Sequence, residues 1–227
     1  MKLIALETAT EGCSAALFIE GDVAERFELA PRRHTELILP MVEALLADAG
    51  LQMQDLDAVA FGRGPGSFTG VRIATAVAQG LAFGADLPLV PVSTLAALAQ
   101  GAVTAADGAD ILAVIDARMN EVYVGQFTVN AEGLVEQVIE ERVCAAEQVT
   151  LAGRSPVLGV GSGFGSYGET LAAVLSERLI SVQPAALPRA ADVVRLAVAQ
   201  FRAGQMVSPE QALPVYLRDN VAVLPPS

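Results

Sequence analysis

The chain is poor in the residues from which metal sites and disulfides are built. Its 227 residues include 1 histidine and 2 cysteines, Cys13 and Cys144, which lack CxxC spacing. A zinc site made of histidine and cysteine is therefore not expected. We expect both thiols to be free and buried, as in proteins of a reducing compartment. The prediction is that this chain holds no metal.

Positive charge is also scarce. Lys2 is the one lysine, and 14 Lys and Arg residues stand against 26 Asp and Glu residues, which gives a net charge of -12. Such a chain is not expected to hold a phosphate backbone by itself. If nucleic acid is involved, we expect another subunit to hold it.

The sequence lacks an apolar run long enough to cross a bilayer, although 53% of its residues are hydrophobic. The first apolar stretch, MKLIALETAT, reaches Glu7 too early for a secretory signal. We therefore expect a globular protein of the cytoplasm with no membrane contact. Its length and apolar content suffice for one large domain or two small ones.

The sequence does contain a plan that occurs twice. Residues 2–29 and residues 111–143 each predict three consecutive strands, and Glu7 or Asp116 closes the first strand of its triplet. Helices and strands alternate after each triplet, which predicts an α/β protein of two similar halves. We set the halves at 1–105 and 106–227, and leave open whether the last segment packs back on the first half. The predicted later elements are helices at 37–49, 71–83, from 93, 169–178 and 189–203, and strands at 58–61, 88–92, 156–160 and near 180.

A glycine-rich turn and an apolar helix lie together between Ala58 and Gly84. The turn could offer N–H groups to an anion, but the Walker pattern fails because Val71, not lysine, follows Gly70. Two interpretations stay open, a structural tight turn and a contact with a ligand or partner. The helix from Val71 has apolar residues all round, which predicts burial on every side by this chain or by another.

Two helices could form such a contact with another chain. In the apolar helix the column Ala74, Ala78, Ala82 is narrow enough for another helix to approach closely. Upstream, apolar residues recur at helical spacing from Leu37 to Ala49, which predicts an amphipathic helix.

Several segments together resemble a known family. They are LETATEGCSAAL, HTELILPMVEALL, GRGPGSFTGVRIATAVAQGLA, DARMNEVYVG and PVYLR. They look like the TsaB (YeaZ) family of the actin-like ATPase and sugar-kinase superfamily, and the likeness covers essentially the whole chain. The resemblance implies two duplicated ribonuclease-H-like halves, each a mixed sheet flanked by helices. It also implies a subunit without its own active site, required for placing a threonylcarbamoyl group on the adenosine 3′ of the anticodon in tRNAs reading codons that begin with A.

The resemblance also implies partners. In the family, TsaD transfers the threonylcarbamoyl group, TsaE is an ATPase that binds the pair, and TsaB alone self-associates as a homodimer. Contact with tRNA is expected only through the complex. The family contact resembles a four-helix bundle, which assigns to this interface Leu37, Met41, Leu45, Ile73 and Val77.

The nucleotide loops of the superfamily are degenerate in this sequence. Glu7 and Thr8 stand where kinases of the superfamily carry Asp followed by glycines, and the loop after Asp116 has no glycine. Gly161 and Gly163 lie where the superfamily contacts adenosine, and we favour a structural turn there. We expect no tightly bound cofactor and leave open ATP or ADP at the interface of the assembled complex.

Three polar residues and two other functions complete the predictions. Arg118 and Glu121 form either a salt-bridged turn or part of a cleft between the halves, and His34 is expected to cap or border its helix. One alternative function is an autonomous ATP-dependent phosphotransferase of the sugar-kinase kind that uses Glu7 and Asp116. The other, a metallopeptidase, is disfavoured because no cluster of metal ligands is visible.

Overall fold

A computed structural model describes residues 1–218. The first sheet has five strands: β1 (Lys2–Glu7), β2 (Gly12–Ile19), β3 (Asp22–Leu29), β4 (Ala58–Gly62) and β5 (Leu89–Val92). The second sheet also has five: β6 (Asp110–Arg118), β7 (Glu121–Val129), β8 (Val135–Ala145), β9 (Val157–Val160) and β10 (Leu179–Gln183). The helices are α1 (His34–Ala49), α2 (Phe68–Ala85), α3 (Thr94–Gln100), α4 (Val103–Ala106), α5 (Ser162–Leu175) and α6 (Ala190–Arg202).

The two sheets have the same topology. Their strand orders are β3-β2-β1-β4-β5 and β8-β7-β6-β9-β10, so the fourth strand of each half pairs with the first. In both halves the first three strands are antiparallel and the last two run parallel to the first. The predicted α/β duplication is confirmed.

The burial of the strands follows their composition. The apolar strands β1 and β4 are covered on both faces, as expected for parallel neighbours inside a sheet. By contrast, β3 lies at the sheet edge, and its sequence DVAERFEL alternates between exposed and half-buried positions. The predicted strands thus lie where their hydrophobic patterns require.

Each sheet is covered by a helix from the other half. Helix α6 packs on the first sheet, where the Ser14 hydroxyl accepts a hydrogen bond from the N–H of Ala190 at 2.9 Å. Helix α3 packs on the second sheet, where the Gln100 side chain bonds the backbone of Gly133 and Val135. The two helices also contact each other, so one hydrophobic core joins the halves. The predicted boundary after residue 105 falls inside α4, between the two sheets.

Helix α5 begins earlier than predicted. It starts at Ser162 instead of residue 169, and Tyr167 has non-helical backbone angles inside it. The glycines of this segment indicated a turn, but Gly163 lies in the helix, at a position where Val114 leaves no room for a side chain. The prediction of its start was wrong because a glycine required by packing has the same sequence signature as a glycine in a turn.

Helix α2 uses its small residues within this chain. Ala74, Ala78 and Ala82 are fully buried, and α2 packs on β4, so this column does not face outward. The opposite side exposes Ala76 and Phe83, which means that the predicted burial on every side is not reached in the single chain. No helix within residues 1–218 has both the length and the apolar character needed to cross a membrane.

Candidate functional site

Helices α1 and α2 lie side by side on the outer face of the first sheet. Leu37, Met41, Ile73 and Val77 are half-buried: each packs on the core and keeps part of its surface accessible. Leu45 is 3% exposed and fills the core beneath α1, so it has little surface to offer another chain. The structure therefore brings four of the five predicted interface residues to one accessible surface.

The outward stripe of α2 extends this surface. Ala76, Gly80 and Phe83 are exposed at helical spacing, and the Phe83 residue is 73% exposed. No heavy atom lies within 4 Å of where a side chain at Gly80 would begin, so the stripe is shallow and open. We call these three residues, with Leu37, Met41, Ile73 and Val77, the α1–α2 face. Contiguous exposed apolar surface of this kind is typical of protein interfaces.

A cleft of about 780 Å³ lies between the two halves. It is lined by the turn after β1, the end of β6, the first residues of α1 and α2, and the C-terminal segment. Asp116 and Arg118 belong to its lining, whereas Glu7, Thr8, Glu121, Gly161 and Gly163 do not. The predicted nucleotide-loop residues are thus divided between the cleft and the interior.

Glu7 is buried beneath the cleft and locked into the first half. Its carboxylate accepts hydrogen bonds from the Ala9 N–H at 2.6 Å and the Thr94 hydroxyl at 3.1 Å. Burial raises the pKa of Glu7 to about 7, against the lowering effect of these hydrogen bonds. A side chain at Gly62 would begin 1.9 Å from the carboxylate, so the glycine allows β4 to pack against Glu7.

Thr8 also joins the turn after β1 to the interior of the first half. Its hydroxyl donates to the Gly70 carbonyl at 2.7 Å, and a side chain at Gly70 would begin 2.0 Å from the Thr8 carbonyl oxygen. The glycine-rich turn is therefore pressed against the turn that follows β1. Neither Glu7 nor Thr8 faces the cleft, which favours the structural interpretation of the turn.

Asp116 was expected to close the first strand of the second half, but β6 continues to Arg118, and Asp116 faces the cleft near the end of that strand. Its side chain is 13% exposed and accepts hydrogen bonds from the Arg118 N–H at 2.8 Å and the Ser166 hydroxyl at 3.1 Å. The Arg118 guanidinium forms an ion pair with Asp116 at 3.1 Å while remaining 86% exposed. Both interpretations hold for Arg118, because this salt-bridged turn is also a wall of the cleft.

The turn between β6 and β7 is conformationally strained, and hydrogen bonds from the C-terminal segment stabilise it. Arg118, Met119 and Asn120 have φ values of 63°, 57° and 62°, which residues with side chains rarely adopt. Arg218 donates to the carbonyl oxygens of Ala117 at 3.0 Å and Arg118 at 3.3 Å. The same guanidinium pairs with the Glu121 carboxylate, so Glu121 binds the C-terminal segment and does not line the cleft.

The C-terminal segment contacts both halves. Val215 donates its N–H to the Arg63 carbonyl oxygen at 2.8 Å, beside the cleft. The Arg72 guanidinium lies 3.2 Å from the ring centroid of Phe68 and 4.8 Å from that of Tyr216. The segment therefore packs back on the first half, a point that the sequence analysis left open, and together with Arg218 on the second half it lines the cleft.

His34 is buried, bonds the turn after β1, and does not cap its helix. It is 8% exposed, and its Nε2 donates to the Thr10 carbonyl oxygen at 2.8 Å. The N-cap position is Arg33, which makes no capping hydrogen bond. The expected capping or border role is therefore corrected: His34 fixes the turn after β1 to the start of α1.

Comparison with known proteins decides the family. The family model described as "TsaD: tRNA N6-adenosine threonylcarbamoyltransferase" matches residues 27–225. The tRNA threonylcarbamoyladenosine biosynthesis protein TsaB of Escherichia coli (strain K12) is 42% identical and covers 98% of this chain and 96% of its own length. Its Haemophilus influenzae namesake is 41% identical over 97% of this chain and 95% of that protein. The chain belongs to the TsaB family.

Solved structures agree with this assignment. A solved structure described as YeaZ from Pseudomonas aeruginosa has a TM-score of 0.89 and 43% identity, and covers 95% of this chain and 99% of that one. A second, of an uncharacterized protein with similarity to peptidase YEAZ from the same organism, has the same score and identity and covers 96% and 99%. The resemblance of the sequence to the TsaB (YeaZ) family is confirmed.

Gly161 and Gly163 are required by packing in this TsaB-family chain. A side chain at Gly161, whose φ is 105°, would begin 2.4 Å from the Val114 carbonyl oxygen. A side chain at Gly163 would begin 2.4 Å from Val114 Cγ1. Gly161, before α5, and Gly163, in its first turn, allow this segment to pack against β6, in the same way that Gly62 allows β4 to pack against Glu7 of β1. This packing favours a structural role for both glycines, although Gly163 lies in a helix and not in the expected turn.

Potential metal ligands are dispersed. Within residues 1–218, the structure groups no three His, Cys, Asp or Glu side chains closely enough to hold a metal ion. Cys13 is buried, Cys144 is half-buried, and both are free. Burial raises the pKa of the Cys13 thiol to about 11, which keeps it protonated at neutral pH.

Proposed function

We propose that this TsaB-family chain is a non-catalytic subunit that acts with TsaD and TsaE partners. The complex would place a threonylcarbamoyl group on the adenosine 3′ of the anticodon in tRNAs reading codons that begin with A. One observation carries the proposal: near full-length identity of 42% to a protein named tRNA threonylcarbamoyladenosine biosynthesis protein TsaB. No comparable observation favours the phosphotransferase alternative.

The arrangement of the cleft supports a role without catalysis of its own. The Glu7 carboxylate is buried and hydrogen-bonded, and the Asp116 carboxylate is engaged by Arg118 and Ser166. The turn after Glu7 is occupied by the contact between Thr8 and Gly70. The turn after Asp116 is occupied by the ion pair between Arg118 and Asp116. A kinase of this superfamily needs open, N–H-lined turns at these positions to hold a triphosphate. We therefore propose that this chain binds no nucleotide tightly and that any ATP or ADP binds at the interface of the assembled complex.

The α1–α2 face is the proposed site of contact with TsaD, and of self-association when the chain is alone. Its half-buried Leu37, Met41, Ile73 and Val77 could be covered by two helices of a partner to give a four-helix bundle. The net charge of -12 supports contact with tRNA only through the complex.

The proposal is tested by reconstitution. Purified TsaD, TsaE and threonylcarbamoyl-adenylate synthase are incubated with ATP, bicarbonate, labelled threonine and unmodified tRNA, with and without this chain. We expect label in tRNA only when the chain is added, and no ATP or protein hydrolysis by the chain alone. Incorporation that is indifferent to the chain would overturn the proposed function, and hydrolysis by the pure chain would overturn the non-catalytic assignment.

The contact surface is tested separately with Val77→Glu. A carboxylate at this half-buried position would be desolvated in the interface, so we expect loss of both the homodimer and the TsaD complex. The matched control is Ile180→Glu, on an exposed strand of the second half, where the Ile180 residue is 54% exposed. Light scattering after size exclusion measures both associations. An intact Val77→Glu complex would remove the α1–α2 face from the proposal.

A further inference from the structure

A second cavity, of about 510 Å³, lies away from both the cleft and the α1–α2 face. It is lined by residues in or next to the edge strands β5 and β8, by residues of α3 and α6, and by residues 205–207. It shares no lining residue with the cleft. Its volume is in the range of small-molecule sites. Both halves contribute to it, as do α3 and α6, the helices that each cover the sheet of the other half.

Arg63 supplies the positive charge of this cavity. Its backbone is fixed on both sides, because its N–H donates to Val92 and its carbonyl oxygen accepts from Val215, each at 2.8 Å. The Nε atom is buried, and among residues 1–218 it has no hydrogen-bond partner. Buried guanidinium N–H groups are normally paired, and leaving one unpaired costs free energy. A carboxylate is the acceptor that best matches this planar group.

Glu141 supplies a negative charge to the same cavity. Its carboxylate accepts a hydrogen bond from the Ser93 hydroxyl. Burial raises the pKa of Glu141, while the nearby charge of Arg63 acts in the opposite direction. The two side chains nonetheless do not form a salt bridge with each other in the described part of the chain. Opposite charges therefore line one cavity without forming a direct ion pair.

The rest of the lining suits a small polar molecule. Gln200 and Gln205 present amide groups that can donate and accept hydrogen bonds. Phe127, Leu196 and Met206 provide apolar walls. A phosphate or a dicarboxylate would meet the charge of Glu141, and a simple cation would meet that of Arg63. A molecule carrying one charge of each sign satisfies both.

We propose that this cavity binds a small zwitterion of the free α-amino acid class, with its carboxylate on Arg63 and its ammonium group on Glu141. The ammonium group would complete the hydrogen bonding of a carboxylate that Ser93 already orients. The carboxylate would pair with the guanidinium of Arg63, which lines the cavity. This site is independent of the proposed tRNA-modifying role, because it uses neither the cleft nor the α1–α2 face.

The test compares ligands on the unaltered protein. Glycine, threonine, leucine and glutamine are titrated to about 10 mM by ligand-observed NMR, which detects weak binding. The best of them is then compared with its N-acetyl and its amide derivatives, each of which lacks one charge. We expect at least one free amino acid to bind, and both derivatives to bind about tenfold more weakly or worse. No binding by any of the four, or equal binding by either derivative, would overturn the proposal.

Variants locate the site. Arg63→Met and Glu141→Gln should each weaken amino-acid binding about tenfold or more. Arg63→Lys should keep part of the binding, since lysine keeps the positive charge but lacks the planar guanidinium that binds a carboxylate through two N–H groups. The control is Arg72→Met, which removes a guanidinium from the cleft and should leave amino-acid binding unchanged. Undiminished binding by folded Arg63→Met would place the ligand elsewhere and overturn the assignment. Because the derivatives are compared on unaltered protein, a variant that fails to fold does not remove the test.

Discussion

Glu7 ends β1 and Asp116 lies near the end of β6, the first strands of two sheets with the same topology, yet their surroundings differ. Glu7 is sealed beneath Ala9 and Gly62, with a pKa raised to about 7 by burial. Asp116 faces a cleft and holds an exposed arginine. In the first half the carboxylate of Glu7 stabilises the interior, whereas in the second half the carboxylate of Asp116 stabilises a surface turn. A shared topology therefore does not carry a shared chemistry with it.

The turns that follow the two strands explain this difference. In the first half, glycines let the start of α2 press on Thr8, so the turn is held from inside. In the second half, the left-handed turn from Arg118 to Asn120 projects outward and is held by Arg218. The two modes of attachment should respond differently to substitution.

The largest effect is expected from Gly70→Ala in the internally held turn. The new methyl group would begin 2.0 Å from the Thr8 carbonyl oxygen, so the backbone must shift. We expect the free energy of unfolding to fall by about 3 kcal/mol or more in urea titrations. The matched control is Gly80→Ala in the same helix, where nothing lies within 4 Å and a gain of about 0.5 kcal/mol is expected. Equal stabilities of the two variants would contradict the tight contact.

The next effect concerns the buried carboxyl and depends on pH. Below about pH 4.5 Glu7 is protonated in both states, and as the pH rises to about 7 only the unfolded state releases its proton. The free energy of unfolding therefore falls over this window, by up to about 3 kcal/mol. Glu7→Gln should remove that loss, being close to the parent at pH 4 and more stable at pH 8.

Denaturation at several pH values measures this difference. Glu11→Gln is the matched control, because it removes a carboxylate from an exposed position of the same turn. Its stability should follow that of the parent across the range. If Glu7→Gln also follows the parent, the carboxyl is not held in the environment described for it.

The smallest effect is expected at the turn held from outside. Arg218→Met removes two hydrogen bonds to carbonyl oxygens and the ion pair with Glu121, which should cost about 1–2 kcal/mol. Hydrogen exchange should accelerate at Met119 and Asn120 while the first half is unaffected. Arg118→Met, at a side chain that is 86% exposed, should cost less than about 0.5 kcal/mol. Unchanged exchange in Arg218→Met would show that the turn holds itself.

The sequence predicted the duplicated topology, because hydrophobic period and turn residues specify strands and helices locally. It did not predict which sheet each helix covers, since α3 and α6 have apolar faces that fit either sheet. Nor did it distinguish the two sides of α2, where Ala74 is buried and Ala76 is exposed. Small residues suit both a sheet and a partner helix, so composition cannot separate these environments.

The candidate sites are formed by residues that lie far apart in the sequence. Arg218 binds Glu121 across 97 residues, and Arg63 shares a cavity with Glu141 from the other half. Such pairs leave no periodic signal in a single sequence. The resemblance did include the terminal PVYLR among its motifs, which is the one sequence feature that could have drawn attention to Arg218.

The exchange of α3 and α6 between the halves has a consequence for how the protein is made. The first sheet is complete once β5 has been synthesised, but the helix that covers its inner face begins only at Ala190. During translation that apolar face must wait for nearly the whole chain to leave the ribosome. A gene fragment encoding either half alone would therefore yield an uncovered sheet, and the two halves have to mature as one unit.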